Sequence, residues 1–528
     1  MKLRASCFVA ALAALSAVGA SAEAAPRPNI LFIIMDDWGW RDAGVYGSTW
    51  VKTPTFDRIA QEGALFRNAF TSNPKCSPSR ASILTGRNGW QLEQGNVHFG
   101  SFPAKFATYP GVLKEAGYAV GFTGKGWGPG NFEVSGLSQN PAGHEFSGLK
   151  LAPPTSGISP IDYARNFERF LSQRKPGQPF CFWLGLREPH RPYERGSGVK
   201  MGLDPKTVAV PPYLPDGDVV RGDLLDYAIE VEWADTQAGK AIAALQAAGE
   251  LDHTLVVMTS DNGMPFPRVK GQIFDDDHHL PLAMRWSGVI KPGRVVEDFV
   301  NFRDFATTFL AVAGLAPPAS MTGRSLVPLL RSGKSGWIDF GRSVMLVNKE
   351  RHDLGRPGDA GYPVRAIRTR EWLYVRNYAP DRWPAGNPET DYPNCDPGPT
   401  KDWIIHHKDK YYDWAFGLRP AESLYRIDSD SDCLSDLAGD PQYAGTLKDL
   451  RGRMEAILRE EGDPRLFGRG DVFDTYPYYG DRGHAYDTWL RSQSKEPAPA
   501  PNEAGKPGGT SPALEWPPGH KSGAADPL

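Results

Sequence analysis

The chain alternates short, uncharged apolar runs with amphipathic stretches. Four such runs, at 29–35 (NILFIIM), 118–123 (YAVGFT), 180–186 (FCFWLGL) and 254–259 (TLVVMT), contain no Asp, Glu, Lys or Arg. Continuous apolar runs of this length predict strands buried on both faces, the habit of a parallel sheet. Helical patterns lie between them. Leu224, Ala228, Val231, Ala238, Ile242 and Leu245 fall on one helical face just ahead of the fourth run. This alternation predicts an α/β domain: a large, mixed but mostly parallel sheet sandwiched by helices.

Each run gives way to polar residues of a particular kind. Asp36-Asp37 follows the first, Gly124-Lys125 the second, Glu188-Pro189-His190 the third and Ser260-Asp261-Asn262-Gly263 the fourth. Open α/β sheets bind ligands beyond the carboxyl ends of their strands. The pattern therefore gathers four scattered motifs along one edge as one candidate site. Asp36, Asp37, Asp261 and Asn262 would offer oxygen ligands from two strand ends. That donor set suits calcium or magnesium and not zinc, for which His or Cys is expected. An isolated acidic pair is more often a loop or a helix cap; the shared edge sets this one apart.

Past about residue 345 the texture changes. Residues 364–369 and 372–377 predict a short hairpin, 424–427 a further strand and 447–461 an amphipathic helix. We take 26–360 as a catalytic α/β domain and 361–493 as a smaller C-terminal α+β unit with a short antiparallel sheet. Residues 494–528 are rich in Pro, Gly and Ala and predict a disordered tail. At the other end, Lys2 and Arg4 precede an apolar run over 8–20 and small residues at 20–24, the pattern of a signal peptide over 1–24. That run is too short for a membrane span, and no other is long enough. The expected mature protein is soluble and secreted or periplasmic.

Composition narrows the function classes. A net charge of −3 over 528 residues gives no basic excess and speaks against a nucleic-acid partner. An anionic substrate would have to be held by local positive charge. Fifteen Trp suit carbohydrate handling, though weakly. Of the five cysteines, Cys7 precedes the apolar run of the signal and Cys181 reads as core. Cys395 and Cys433 could pair in an oxidising compartment, though nothing in their spacing demands it.

Cys76 is the unusual one. It opens the string CSPSRASILTGR at 76–87. Pro78 suits the first turn of a helix and Ser77 its cap, which would set Cys76 just before a helix N-terminus. Backbone N–H groups and the helix dipole favour an anion there. Arg80 follows one turn on, with a planar fork that matches an oxyanion.

With these residues the chain resembles the type I sulfatases of the alkaline phosphatase superfamily. CSPSRASILTGR matches their Cys-x-Pro-x-Arg signature and the TGR behind it, and the likeness runs from Pro28 to about residue 460. FRNAFTS before the signature, TSDNGMPFP and TGRSLVPLL look closest to the N-sulfoglucosamine sulfohydrolase-like members. The resemblance implies an alkaline phosphatase-like fold and a nucleophile made by a formylglycine-generating enzyme, which oxidises Cys76 to 3-oxoalanine (formylglycine) before folding. The hydrated aldehyde has two hydroxyls: one attacks sulfur and the other expels sulfate, an exit that a thiol lacks. It also implies a calcium ion on Asp36, Asp37, Asp261, Asn262 and residue 76, polarising the reacting oxygens. Lys125 matches the family's sulfate-binding lysine, Lys270 takes the place of a second cationic sulfate contact, and His190 matches the donor of the leaving-group proton.

One departure bears on mechanism. The family pattern is Gly-Lys-x-His, whereas this chain has Trp127 in GKGWGPG, and an indole does not shuttle protons. His98, His278 and His279 are candidates for that task or for reading substrate. Trp127 is a candidate lining of a sugar subsite, and His352 and Arg365 are candidates for sugar recognition. The expected function is exo-acting hydrolysis of sulfate esters or sulfamates on a sulfated mono- or oligosaccharide, either heparan-type N-sulfoglucosamine or an O-sulfated glycan. The alternatives are a phosphodiesterase or phosphonate hydrolase of the same superfamily, and a catalytically silent glycan-binding homologue.

Overall fold

A computed structural model describes residues 27–481 and 483–493; the expected signal segment and tail lie outside the described residues. Nine strands form the large sheet: β1 (Asn29–Met35), β2 (Ala64–Phe70), β3 (Ala119–Gly124), β4 (His144–Glu145), β5 (Phe180–Gly185), β6 (Thr254–Ser260), β7 (His279–Arg285), β8 (Arg294–Val296) and β9 (Val300–Asn301). Their order is β4-β3-β5-β1-β6-β7-β2-β8, with β9 beside β2. The four apolar runs are β1, β3, β5 and β6. They lie side by side and parallel. Only β7 runs antiparallel to its neighbours, which makes the sheet mixed but mostly parallel.

Both faces of β1 are buried, as its uninterrupted apolar sequence requires. Leu31, Ile33 and Met35 join a core with residues of helices Pro54–Glu62, Tyr163–Gln173 and Asp218–Ala247. Ile30, Phe32 and Ile34 join the opposite core, built with helices Cys76–Thr85, Tyr109–Glu115 and Asp304–Val312. Phe32 makes ring contacts with Phe305 and Phe309 at 5.5 Å. Each such large apolar side chain contributes about 1.5–3 kcal/mol on burial. Among the described residues no helix is long and apolar enough to cross a membrane.

The second sheet is an antiparallel meander of β10 (Val344–Lys349), β11 (Val364–Thr369), β12 (Trp372–Asn377) and β13 (Glu422–Arg426). Helix Ala444–Glu460 places Leu447, Leu450, Met454 and Leu458 against Ile367, Tyr374 and Leu424, following the three- and four-residue spacing of one helical face. β10 precedes residue 360, so the small sheet draws on both sides of the boundary drawn from sequence. The end of β10 is bonded to the segment leading into the signature helix: the Asn348 backbone N–H and side-chain amide both donate to the Ser72 carbonyl at 2.8 Å. Cys181, Cys395 and Cys433 are buried free thiols, and Cys395 and Cys433 are not bridged.

Candidate active site

Strand register assembles the site. β1 and β6 pair Met35 with Ser260, so Asp36 and Asp261 leave the sheet side by side. β1 pairs Ile34 with Gly185, and β3 pairs Gly124 with the same Gly185, which brings Lys125 to the same edge. Gly124 is required there. Its φ is 75°, and a Cβ would stand 2.0 Å from the Gly185 carbonyl oxygen. Asp37 adopts a left-handed φ of 74° directly after β1, a conformation that costs a non-glycine residue about 1 kcal/mol or more.

The signature helix begins at Cys76 itself, with Lys75 in the capping position. The expected cap, Ser77, lies inside the helix and donates its hydroxyl to the His98 carbonyl. Cys76 Sγ lies 3.5 Å from Asp36 Oδ1 and 3.9 Å from Asp37 Oδ1. Ligand atoms of Asp36, Cys76 and Asp261 come within 4.8 Å of one another. Arg80 donates Nε to Asp261 at 2.7 Å and Nη1 to the carbonyls of Lys125 and Gly126 at 2.7 and 3.0 Å. It thereby ties the signature helix to the ends of β6 and β3.

Two lysines pair with the two aspartates after β1. Lys125 Nζ meets Asp36 Oδ2 at 2.6 Å, and Lys270 Nζ meets Asp37 Oδ2 at 2.7 Å. His190 Nε2 lies 3.8 Å from the same Asp37 oxygen, while Nδ1 lies 2.5 Å from the Arg191 carbonyl. Burial would raise the Asp36 pKa, but Lys125, His190 and Arg80 hold it well below the usual carboxylate range. Burial pushes the Cys76 thiol up, against the pull of Lys125 and Lys270. Burial and Lys270 both lower His190.

The donor set fits a hard cation. Asp36 and Asp261 offer carboxylate oxygens beside Cys76, Asp37 joins them through Oδ1 at 3.9 Å from Cys76 Sγ while also grouping with His190 and Asp396, and Asn262 Oδ1 is buried without a hydrogen-bond partner, as a ligand atom would be. Asn262 Nδ2 meanwhile donates to Asp37 Oδ1 at 2.7 Å.

The remaining sequence candidates divide. Trp127 is buried: its indole N–H donates to the Ser77 carbonyl at 3.1 Å and its ring packs edge-on against Phe102. It braces the signature helix and has no open face for a sugar. Arg365, also a sugar candidate, is fully buried between Asp463 at 2.6 Å and Glu350 at 2.8 Å, its charge consumed inside the small unit. His279 has both ring nitrogens occupied, by Asp275 at 3.1 Å and the Arg67 carbonyl at 2.6 Å, and stacks on Trp40. His278 is buried against Phe70. Asp275 also takes Arg368 of β11 at 2.6 Å, so these histidines belong to the seam between the two sheets. His98 and His352 lie in a buried polar cluster with Lys75, Lys349 and Asp353. Sequence reasoning missed Lys75, Asp353 and Asp396; the last meets Lys270 at 2.8 Å. Asp353 and Asp396 stand far from any motif in sequence, and only the fold brings them in.

A mostly parallel sheet covered on both faces thus carries a cluster of carboxylates and lysines around a buried cysteine at a helix start. Residues 28–315, more than half of the chain, match the Sulfatase family, and the chain belongs to that family; it is a sulfatase. It is 29% identical to human N-sulphoglucosamine sulphohydrolase over 517 residues, covering 87% of this chain and 95% of that protein. With human N-acetylgalactosamine-6-sulfatase it shares 32% over 368 residues, 60% of this chain and 68% of the relative. The structure of BT4656 in complex with its substrate D-glucosamine-2-N,6-O-disulfate superposes with a TM-score of 0.62 at 20% identity, covering 83% of this chain and 98% of that one.

Proposed function

We propose that this sulfatase removes sulfate from the terminal residue of sulfated sugars, a heparan-type N-sulfoglucosamine or an O-sulfated hexosamine, with a formylglycine at position 76 as nucleophile and a calcium ion beside it. The observation that carries this reading is the setting of Cys76. A thiol offers no second hydroxyl to expel sulfate, yet this one stands at the start of a helix with its sulfur 3.5 Å from Asp36 Oδ1 and 3.9 Å from Asp37 Oδ1, each of these carboxylates paired with a lysine. Conversion to the aldehyde hydrate supplies oxygen nucleophiles where the thiol cannot serve. Calcium on Asp36, Asp37, Asp261 and Asn262 would supply charge stabilisation for the reacting oxygens.

The chain's own residues do the rest. Lys125 and Lys270 flank the nucleophile with positive charge for the sulfate oxygens. Arg80 holds the strand ends in place through Asp261. His190, part-exposed with Nδ1 bound to the Arg191 carbonyl, would hand the Nε2 proton of its imidazolium form to the leaving group. Maturation would involve a formylglycine-generating enzyme, and the N-terminal pattern supports export to the periplasm or the exterior.

The likeness to an N-sulphoglucosamine sulphohydrolase over most of the chain favours the sulfamate. The higher local identity to an N-acetylgalactosamine-6-sulfatase keeps the sulfate ester as the second reading. Hydrolysis of an aryl sulfate set beside an aryl phosphodiester tests the reaction class. Faster turnover of the sulfate is expected; preference for the phosphodiester would overturn it, and no turnover of either would favour a silent glycan binder.

A further inference from the structure

Trp127 leaves the proposed reaction without a proton acceptor at the place where the family pattern has histidine. The structure offers a candidate in a buried cluster bonded to both chain neighbours of residue 76. Asp353, in the loop after β10, presents Oδ1 to His98 Nδ1 at 2.8 Å and Oδ2 to Lys75 Nζ at 2.9 Å. The Tyr478 hydroxyl donates to Oδ1 at 3.2 Å. Burial would raise Asp353, but Lys75 and His98 hold it well below the usual carboxylate range. An ionised carboxylate only accepts, so His98 Nδ1 carries the ring proton and Nε2 presents a lone pair. Burial, outweighing Asp353, pushes the ring down to about 4, so it is neutral at physiological pH.

Nε2 is buried and has no hydrogen-bond partner among the described residues. Both chain neighbours of residue 76 are tied to this unit. Lys75 reaches it through Asp353, and Ser77 through its hydroxyl on the His98 carbonyl. An imidazole oriented by a carboxylate, with its second nitrogen left open, is the arrangement that general bases share. The other candidates lack it: His279 has no open nitrogen, and neither His278, whose nearest carboxylate is Asp275 at 3.8 Å, nor His352 has a hydrogen-bonded carboxylate to orient it.

We propose that His98, oriented by Asp353, takes the proton-handling place beside residue 76 that Trp127 has vacated. The inference rests on the sulfatase reading above. In the release step the proton of the remaining hydroxyl on residue 76 passes to Nε2. That oxygen's electron pair closes the C=O bond, the carbon–oxygen bond to sulfate breaks, and sulfate leaves as the dianion. The imidazolium then gives its proton to solvent.

The test uses full-length protein co-produced with a formylglycine-generating enzyme, with N-sulfoglucosamine and N-acetylglucosamine 6-sulfate as probes. His98→Asn can keep an N–H for Asp353 but has no ring lone pair. Asp353→Asn donates to Nδ1 and so moves the ring proton onto Nε2. Both are expected to lower kcat by ~10²–10⁴-fold with KM little changed. In both, the residue-76 peptide quenched during turnover should carry the mass of a retained sulfo group. If His98→Asn does not fold, Asp353→Asn carries the same test. A kcat near the parent's, a loss confined to KM, or no retained sulfo group overturns the role of His98. A parent enzyme without the aldehyde, or without turnover of either probe, overturns the sulfatase reading and this inference with it.

Discussion

Trp127→Ala separates a brace for the nucleophile's helix from a sugar platform. The Trp127 ring is buried beside Phe102, its indole N–H donates to the Ser77 carbonyl, and its backbone N–H is taken by Asn140 at 3.0 Å. Truncation to Ala empties a large core position, which costs about 3–5 kcal/mol. Trp127→Phe keeps most of the ring and removes one hydrogen bond to a buried carbonyl, a loss of about 1–3 kcal/mol. Against a total stability of about 5–15 kcal/mol, the alanine variant should unfold at a clearly lower denaturant midpoint, with phenylalanine between it and the parent. Because Ser77 adjoins residue 76, kcat should fall in both while KM stays near the parent's. Denaturant titration followed by tryptophan fluorescence, paired with steady-state kinetics on the same preparations, reads both quantities. An alanine variant of parental stability whose KM rises about tenfold would refute the reasoning and return Trp127 to a sugar subsite.

Arg365→Ala should cost about 3–5 kcal/mol by leaving Asp463 and Glu350 buried without their cation, with kinetics of the folded fraction unchanged; a raised KM at parental stability would contradict the burial argument. Calcium at a hundredfold its dissociation constant should stabilise the chelated protein by about 2.7 kcal/mol in a thermal melt, and Asp36→Asn should blunt that shift; identical melts with and without calcium would count against the ion. His98 sets a pH dependence whose sign follows from its depressed pKa. The unfolded ring titrates near about 6.5 and the folded one at about 4. The unfolded state therefore binds the proton first, and stability present above the unfolded value is lost as pH falls through that window, by up to about 1.4 kcal/mol per pH unit. His98→Asn should flatten denaturation midpoints between those pH values, and an unchanged slope would show that His98 does not titrate there.

The carboxyl-edge site was legible because its chemistry sits where uninterrupted apolar strands stop. NILFIIM, YAVGFT, FCFWLGL and TLVVMT each became a strand, and the polar residues behind them met. What local pattern cannot carry is register, direction and burial of polar groups. β7 (HLPLAMR) runs antiparallel between two neighbours, which depends on its crossover and not on its residues. Trp127 and Arg365 are sequence candidates for sugar contact, yet each is buried by partners distant in sequence: Ser77 for one, Asp463 for the other. The Lys75–Asp353–His98 unit joins residues up to 278 positions apart and follows no motif, so only the docking of β10 beside the signature helix brings it together.

The most direct test of the central claim is the mass of the tryptic peptide 76–80 from catalytically active protein produced in its native host or with a formylglycine-generating enzyme. The aldehyde or its hydrate at position 76 is expected, its fraction tracking specific sulfatase activity from one preparation to the next. Full activity in protein whose residue 76 is wholly an unmodified thiol would contradict it.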